Sequence, residues 1–239
     1  MVNISGKTIL ITGASKGIGK AIALSLAALN TNLGLVARSK KELEALQTEI
    51  IRLGSKAEIF IGSVADESLA NEAVKTMLQK FGKIDVLINN AGYGVFENAE
   101  NITATDWDDL FATNTKGTFL FCKAAIPAMK ENKNGHIINV ASDVAKRAFS
   151  GGSLYCASKY AQEGFSAAIR KELRPFKIKV SVVYSGLVDS FFHAEKEGDP
   201  SHENWLKNQD MANAINFIIA QPPHVVIDEL MIHPLEQDY

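Results

Sequence analysis

The chain has 239 residues, with 25 Lys+Arg against 27 Asp+Glu for a formal net charge of −2, and 46 % of positions are hydrophobic. At roughly 100–200 residues per domain that is one large α/β domain or two small ones, and the ordinary apolar content with near-zero charge excludes a disordered chain. No Lys/Arg excess marks nucleic acid or an anionic membrane as the main partner, and two cysteines, Cys122 and Cys156, are too few for a disulfide framework.

Short apolar runs at 8–11, 33–36, 57–61, 86–88, 136–140, 179–183 and 229–232 alternate with amphipathic stretches, and several are apolar on consecutive positions. That pattern suits strands covered on both faces, so the sequence predicts a single α/β domain over residues 1–239, a doubly wound fold with a seven-stranded parallel sheet. No Pro/Gly/Ser-rich linker divides it.

The first strand leads into Thr12-Gly13-Ala14-Ser15-Lys16-Gly17-Ile18-Gly19, and a helical pattern over 20–28 follows. Glycines there allow a tight bend, close approach to a pyrophosphate, and packing of helix on strand, while the helix N-terminus offers free N–H groups to phosphates. The G-x-x-x-x-G-K-[ST] phosphate loop is absent, which favours a dinucleotide over ATP. The second strand ends in Val36-Ala37-Arg38-Ser39-Lys40, without the carboxylate that would bind the ribose hydroxyls of NAD. Arg38, with Lys16 beside it, favours the 2′-phosphate of NADP(H).

Helices are expected over 40–53 and 67–81, and a long one over 105–130 with a capping-box-like start at Thr105 and a close near Pro127 and the Asn134-Gly135 pair. Ser142 lies just beyond the strand at 136–140, where ligands gather in a parallel sheet. The helix over 153–173 carries Tyr155 and Lys159, four apart and therefore on one face. A nearby ammonium would stabilise phenolate and lower the Tyr155 pKa, giving an acid/base group for carbonyl–alcohol interconversion. Residues 187–207 break the pattern and are expected to form a substrate lid, with Leu187, Phe191, Phe192 and Trp205 facing a pocket shared with Tyr93 and Phe149.

These residues carry a resemblance. Thr12-Gly13-x-x-x-Gly17-x-Gly19, Asn89-Asn90-Ala91-Gly92, Asn114, Ser142 and Tyr155-x-x-x-Lys159 occur in the order of the short-chain dehydrogenase/reductase family, which the chain resembles over about 5–190 and more loosely beyond. The resemblance implies Tyr155 as general acid, Ser142 as the group polarising the carbonyl, Lys159 on the nicotinamide ribose, and Asn114 holding a water that links Lys159 to solvent. It implies cofactor contacts from Gly13, Ser15, Lys16, Gly17, Ile18, Gly19, Arg38, Ser39, Ser63, Val64, Asn90, Ala91, Gly92, Gly186, Val188 and Ser190. The family usually forms dimers or tetramers. The chain departs from the common pattern at Ser63 (often Asp), at Ser185-Gly186 (often Pro-Gly) and at Ser190 (often Thr). Its C-terminal run 225–234 lacks the Gly-Gly of many ketoacyl-carrier-protein reductases and looks more like the branch of NADP-dependent 3-hydroxy-acid dehydrogenases and sepiapterin-reductase-like enzymes.

The expected activity is hydride transfer between NADP(H) and a small carbonyl or secondary alcohol. Two alternatives stay open: a dinucleotide-binding sensor without chemistry, and a 3-oxoacyl-carrier-protein reductase. No apolar run reaches the ~20 residues of a membrane span, residues 1–7 lack a signal-peptide profile, and the five scattered histidines suggest no metal site. A soluble cytoplasmic protein is expected.

Overall fold

The computed structural model describes residues 2–193 and 197–237. Strands β1 (Thr8–Thr12), β2 (Asn32–Ala37), β3 (Lys56–Ile61), β4 (Val86–Asn89), β5 (Gly135–Val140), β6 (Ile178–Ser185) and the late strand β9 (Glu229–Ile232) pair in parallel. They form one seven-stranded sheet in the order β3-β2-β1-β4-β5-β6-β9. Side chains on a strand alternate between faces. Ile9 and Ile11 of β1 therefore join one core with Leu33, Leu35 and Ile88, while Leu10 joins the other with Val36 and Leu87. Both faces are covered, which is why these strands are apolar without interruption. Each fully buried Leu or Ile contributes roughly 1.5–3 kcal/mol.

Helices α1 (Gly17–Ala27) and α2 (Lys40–Arg52) cover the first face through Ile22, Leu26, Leu43, Leu46 and Ile50. On the second face, α3 (Glu67–Phe81), α5 (Gly117–Asn132) and α6 (Ser153–Leu173) insert Leu69, Met77, Phe121, Met129 and Ile169. The strand order reverses between β1 and β4, so Thr12 and Asn89 end side by side at the switch point where ligands enter such sheets.

The expected long helix is interrupted. Helix α4 (Ala104–Phe111) runs into a wide π turn over Ala112–Lys116 before α5 begins. The cap is at Thr103, whose hydroxyl accepts from Asp106 N–H while the Asp106 carboxylate accepts from Thr103 N–H, two residues before the expected Thr105. Pro127 lies inside α5, which continues to Asn132 and closes on left-handed Lys133, just before the expected Asn134-Gly135 pair.

Within the predicted lid, the described residues 187–193 and 197–207 carry short regular elements. β7 (Val188–Asp189) pairs in parallel with β8 (Leu206–Lys207). The buried Asp189 carboxylate gathers the segment by accepting from Gly198 N–H at 3.0 Å and Lys207 Nζ at 3.2 Å, with His202 Nδ1 at 3.3 Å. Part of the predicted lid, residues 194–196, lies outside the described residues. Helix α7 (Asn208–Ile219) was not anticipated, although Met211, Ala212, Ile215, Ile218 and Ile219 have helical spacing; it packs its apolar face into the first core beside α1. Cys122 and Cys156 are buried free thiols. No helix among the described residues is long and apolar enough to cross a membrane.

Candidate active site

A cleft of about 1260 Å³ opens over the C-terminal ends of the strands. Its cofactor-side wall is made mostly of backbone. Gly13 adopts φ +67°, and a Cβ there would stand 2.8 Å from Ala91 Cα. A Cβ on Gly19 would lie 2.1 Å from the Gly13 carbonyl oxygen, so Gly19 is the position where α1 packs directly onto the loop. Gly13, Ser15, Lys16, Gly17 and Ile18 line the cleft while Gly19 sits behind it. The α1 N-terminus has no side-chain cap, which leaves its first N–H groups available to a ligand anion.

Thr12 secures this wall to β4. Its Oγ1 accepts from Asn90 N–H at 3.0 Å and Ala91 N–H at 3.1 Å, and the Asn90 amide returns two bonds to the carbonyls of Thr12 and Gly13. The Asn90 side chain is thus a strut between strand and loop, and it is Asn90, Ala91 and Gly92 as a wall that face the cleft. Farther out, Arg38, Ser39, Ser63 and Val64 line the same side. Arg38 is exposed and has no ion-pair partner among the described residues, whereas the Ser39 hydroxyl donates to Glu42. Lys16 Nζ lies 5.4 Å from the Phe191 ring centroid, a cation–π contact that joins the glycine loop to the predicted lid.

Ser142, Tyr155 and Lys159 line the same cleft. Burial pushes the Tyr155 phenol above its usual pKa, while a hydrogen bond from Ser142 pulls it down. The expected net lowering by Lys159 is therefore not what the structure gives: desolvation wins, and Lys159 Nζ stands 5.9 Å from the Tyr155 ring centroid. Burial likewise lowers Lys159 to about 8. Lys159 Nζ donates to the Val140 carbonyl and to Gln162 Oε1, both at 3.2 Å. Gln162 is one helical turn beyond Lys159, a signal that the i, i+3 spacing already held.

A buried polar chain continues from there. Gln162 Nε2 donates to Thr118 Oγ1 at 3.0 Å, and Thr118 Oγ1 donates to the Asn114 carbonyl at 3.0 Å. Ser166 Oγ donates to the Gln162 carbonyl, Asn139 Nδ2 donates to Ser166 Oγ, and Asn89 Nδ2 donates to Asn139 Oδ1. Asn114 lies in the π turn and is fully buried behind the cleft wall. Its amide clamps Tyr93 by accepting from Tyr93 N–H at 3.0 Å and donating to the Tyr93 carbonyl at 2.9 Å, and it also donates to Ser158 Oγ.

Aromatic rings surround the phenol. Phe96, which has no motif to announce it, lies 5.5 Å from Tyr155, 6.0 Å from Phe149 and 6.2 Å from Phe192, and Phe192 is 5.4 Å from Tyr155. Of the predicted substrate residues, Phe149, Leu187, Phe191 and Phe192 line the cleft with Gly186, Val188 and Ser190. Tyr93 also lines it, and burial raises its phenol above the usual pKa. Trp205 does not line the cleft; it stacks on His202 at 3.7 Å. The carboxylate next to the serine was also missed. Ser142 Oγ donates to Asp143 Oδ1 at 3.0 Å, and Asp143 Oδ2 accepts from Arg147 Nε and Gln237 Nε2, both at 3.0 Å.

A doubly wound sheet with a glycine-rich turn at its switch point, and with a serine, tyrosine and lysine on the facing wall, defines a dinucleotide-dependent oxidoreductase class. The short chain dehydrogenase family profile matches residues 7–200, and the chain belongs to that family. It is 30 % identical over 235 residues to an uncharacterized oxidoreductase of Staphylococcus aureus (strain MRSA252), covering 98 % of this chain and all of that one. An alcohol dehydrogenase from the archaeon Thermococcus sibiricus, complexed with 5-hydroxy-NADP, superposes with a TM-score of 0.93 at 30 % identity, covering 98 % of this chain and 99 % of that one. The closed form of a serine dehydrogenase complexed with NADP+ gives 0.89 at 28 %, covering 97 % and 96 %.

Proposed function

We propose that the protein is an NADP(H)-dependent reductase or dehydrogenase interconverting a small carbonyl compound and its secondary alcohol, with Tyr155 as the proton-transferring group. The observation that carries this reading is the convergence of Ser142, Tyr155 and Lys159 on one wall of a cleft whose other wall is the glycine loop. The chain's own features fit the cofactor: a loop where Gly13 and Gly19 leave no room for a Cβ, an uncapped α1 N-terminus, and an Arg38 guanidinium without a carboxylate partner among the described residues. Solved relatives holding NADP-type ligands support the same choice.

The glycine loop and α1 N-terminus would hold the pyrophosphate; Lys16, Arg38 and Ser39 the 2′-phosphate; Ser63, Val64, Asn90, Ala91 and Gly92 the adenosine side; and Gly186, Val188, Ser190 and Lys159 the nicotinamide end. When bound, the cofactor supplies or accepts the hydride. When substrate enters, the Ser142 hydroxyl would turn its one proton from Asp143 Oδ1 to the substrate oxygen and hold that oxygen against the phenol. Tyr155 gives its Oη proton to that oxygen in reduction and takes it back in oxidation. With its pKa near 8, Lys159 is mostly an ammonium at neutral pH, and it stabilises the phenolate left after proton transfer. Asn114 and the Gln162–Thr118 chain hold Lys159 and the Tyr93 backbone in place, and a water at Asn114 completes the route for the proton to solvent.

Phe96, Phe149 and Phe192 around Tyr155 favour a substrate with an apolar or aromatic body. Residues 187–207 act as the lid in a single domain. Likeness to a serine dehydrogenase supports the 3-hydroxy-acid branch. A soluble, cytoplasmic homo-oligomer, dimer or tetramer, completes the reading.

Tyr155→Phe tests it on a panel of ketones, aldehydes and 3-hydroxy acids, followed by NADPH absorbance: turnover is expected to fall by about 10²–10⁴ with NADPH affinity kept. Retained turnover would sink the mechanism. Arg38→Ala should weaken NADPH by roughly 10–100-fold and leave NADH unaffected; unchanged selectivity would remove the cofactor assignment.

A further inference from the structure

Gln237, at the end of the described chain, reaches back over the catalytic wall. Its Oε1 accepts from Leu187 N–H at 2.8 Å, and its Nε2 donates to Asp143 Oδ2 at 3.0 Å. Its amide packs against Gly186 so closely that a Cβ on that glycine would stand 2.1 Å from Gln237 Oε1. The two groups it bridges belong to the segments that touch the Ser142 hydroxyl. Ser142 Oγ lies 3.0 Å from Asp143 Oδ1 and 3.4 Å from the Ser185 carbonyl, two residues before Leu187. One amide, about ninety residues away in sequence, therefore ties together both elements that locate the Ser142 hydroxyl.

We propose that Gln237 is a positioning residue of the active site, setting the Ser142 hydroxyl and the Leu187–Val188 backbone through one bridge between Asp143 and the end of β6. The proposal rests on the carbonyl-reductase reading. Side chains with a single hydrogen bond rotate readily, but an amide held at both its oxygen and its nitrogen fixes the spacing between its partners. Arg147 and Gln237 both bond Asp143 Oδ2, with His233 Nε2 3.4 Å away, which leaves Oδ1 facing Ser142. The carboxylate thus fixes where the Ser142 oxygen rests before substrate takes its proton in hydrogen bonding, while Gln237 keeps the carboxylate in place. The same amide holds the Leu187 N–H, so the hydroxyl that receives the substrate oxygen and the backbone at the nicotinamide end of the cleft are placed by one clamp.

Two full-length variants test this, assayed with the best-turned-over member of the carbonyl panel. Gln237→Ala is expected to lower kcat about tenfold, to leave NADPH affinity within about twofold, and to speed hydrogen exchange at the Leu187 amide. Gln237→Glu separates positioning from bulk. A protonated carboxyl there can accept from Leu187 and donate to Asp143. An ionised one faces the Asp143 carboxylate with Arg147 and His233 as the nearby groups that offset it, and Glu236 as a further negative neighbour. Its kcat/KM should therefore approach wild type at low pH and fall as pH rises, through an ionisation above the ~4.3 of an ordinary glutamate, which wild type lacks. Wild-type kcat and Leu187 exchange in Gln237→Ala, or a Gln237→Glu profile parallel to wild type, would overturn the proposal. An active Tyr155→Phe would instead overturn the reading on which it rests.

Discussion

The two walls of the cleft are built by different means. On the cofactor side, position is set by backbone: two glycines with no space for a Cβ, an uncapped helix start, and Thr12 holding the N–H groups of Asn90 and Ala91. On the side of Ser142, Tyr155 and Lys159, position is set by side chains, some from the next helical turn and some from distant parts of the chain: Gln162 holds Lys159, Asn114 clamps Tyr93, and Gln237 bridges Asp143 to Leu187. A backbone-built wall fails abruptly when a methyl group intrudes. A side-chain-built wall fails by degrees, and its charged members respond to pH.

The largest effect should come from Gly19→Ala. Neither the helix start nor the Gly13 carbonyl can move far, so overpacking of about 3 kcal/mol and a loss of roughly 100-fold in NADPH affinity are expected, read by denaturant melts and fluorescence titration. Normal cofactor affinity in this variant would show that the loop is softer than its geometry implies.

Lys159→Met should act in the opposite sense on stability while removing turnover. Burial moves Lys159 from 10.5 to about 8, so the folded protein carries the full cost of a buried ammonium below pH 8. That cost is on the order of 3 kcal/mol and is partly offset by two hydrogen bonds, leaving the variant about 1 kcal/mol more stable at pH 7. The sign follows from linkage: between pH 8 and 10.5 the unfolded chain binds the extra proton, so wild-type stability climbs and the variant's advantage fades. Melting curves across pH 6–10 check this, and an advantage that grows with pH would contradict it. Smallest should be Phe96→Ala, which leaves the proton-transfer groups in place; a few-fold rise in KM with kcat within about twofold is expected, and steady-state kinetics decide it.

The same contrast explains what could be read in the residues alone. The glycine loop and the Tyr155–Lys159 pair were legible because each is a short motif at a strand end or helix start, Arg38 and Ser142 because they stand just past strand ends, and the seven strands because apolar runs need both faces covered. The supporting residues were not. Phe96 approaches Tyr155 only through the folded loop after β4, and Gln237 meets Asp143 across ninety-odd positions. The π turn at Ala112–Lys116 was hidden because one extra residue in a helix hardly disturbs its apolar period, and α7 because it follows directly on a polar stretch. The Tyr155 pKa went the other way from expectation because a neighbouring ammonium is visible in a motif whereas the extent of desolvation is not.

The buried amides and hydroxyls from Asn89 to Lys159 have one more consequence, for how the molecule can change over time. Apolar contacts are non-directional and tolerate small slides, but these polar pairs do not. Moving α6 by one residue would turn it about 100° and shift it about 1.5 Å, and would strand several buried donors at ~1–3 kcal/mol each. The helix bearing Tyr155 is therefore held in one discrete register, and neighbours such as Ile169 and Leu173 can be exchanged for other apolar residues without displacing the phenol. Substitutions in the oily part of the core and the placement of the Tyr155 oxygen are in this way free to vary independently.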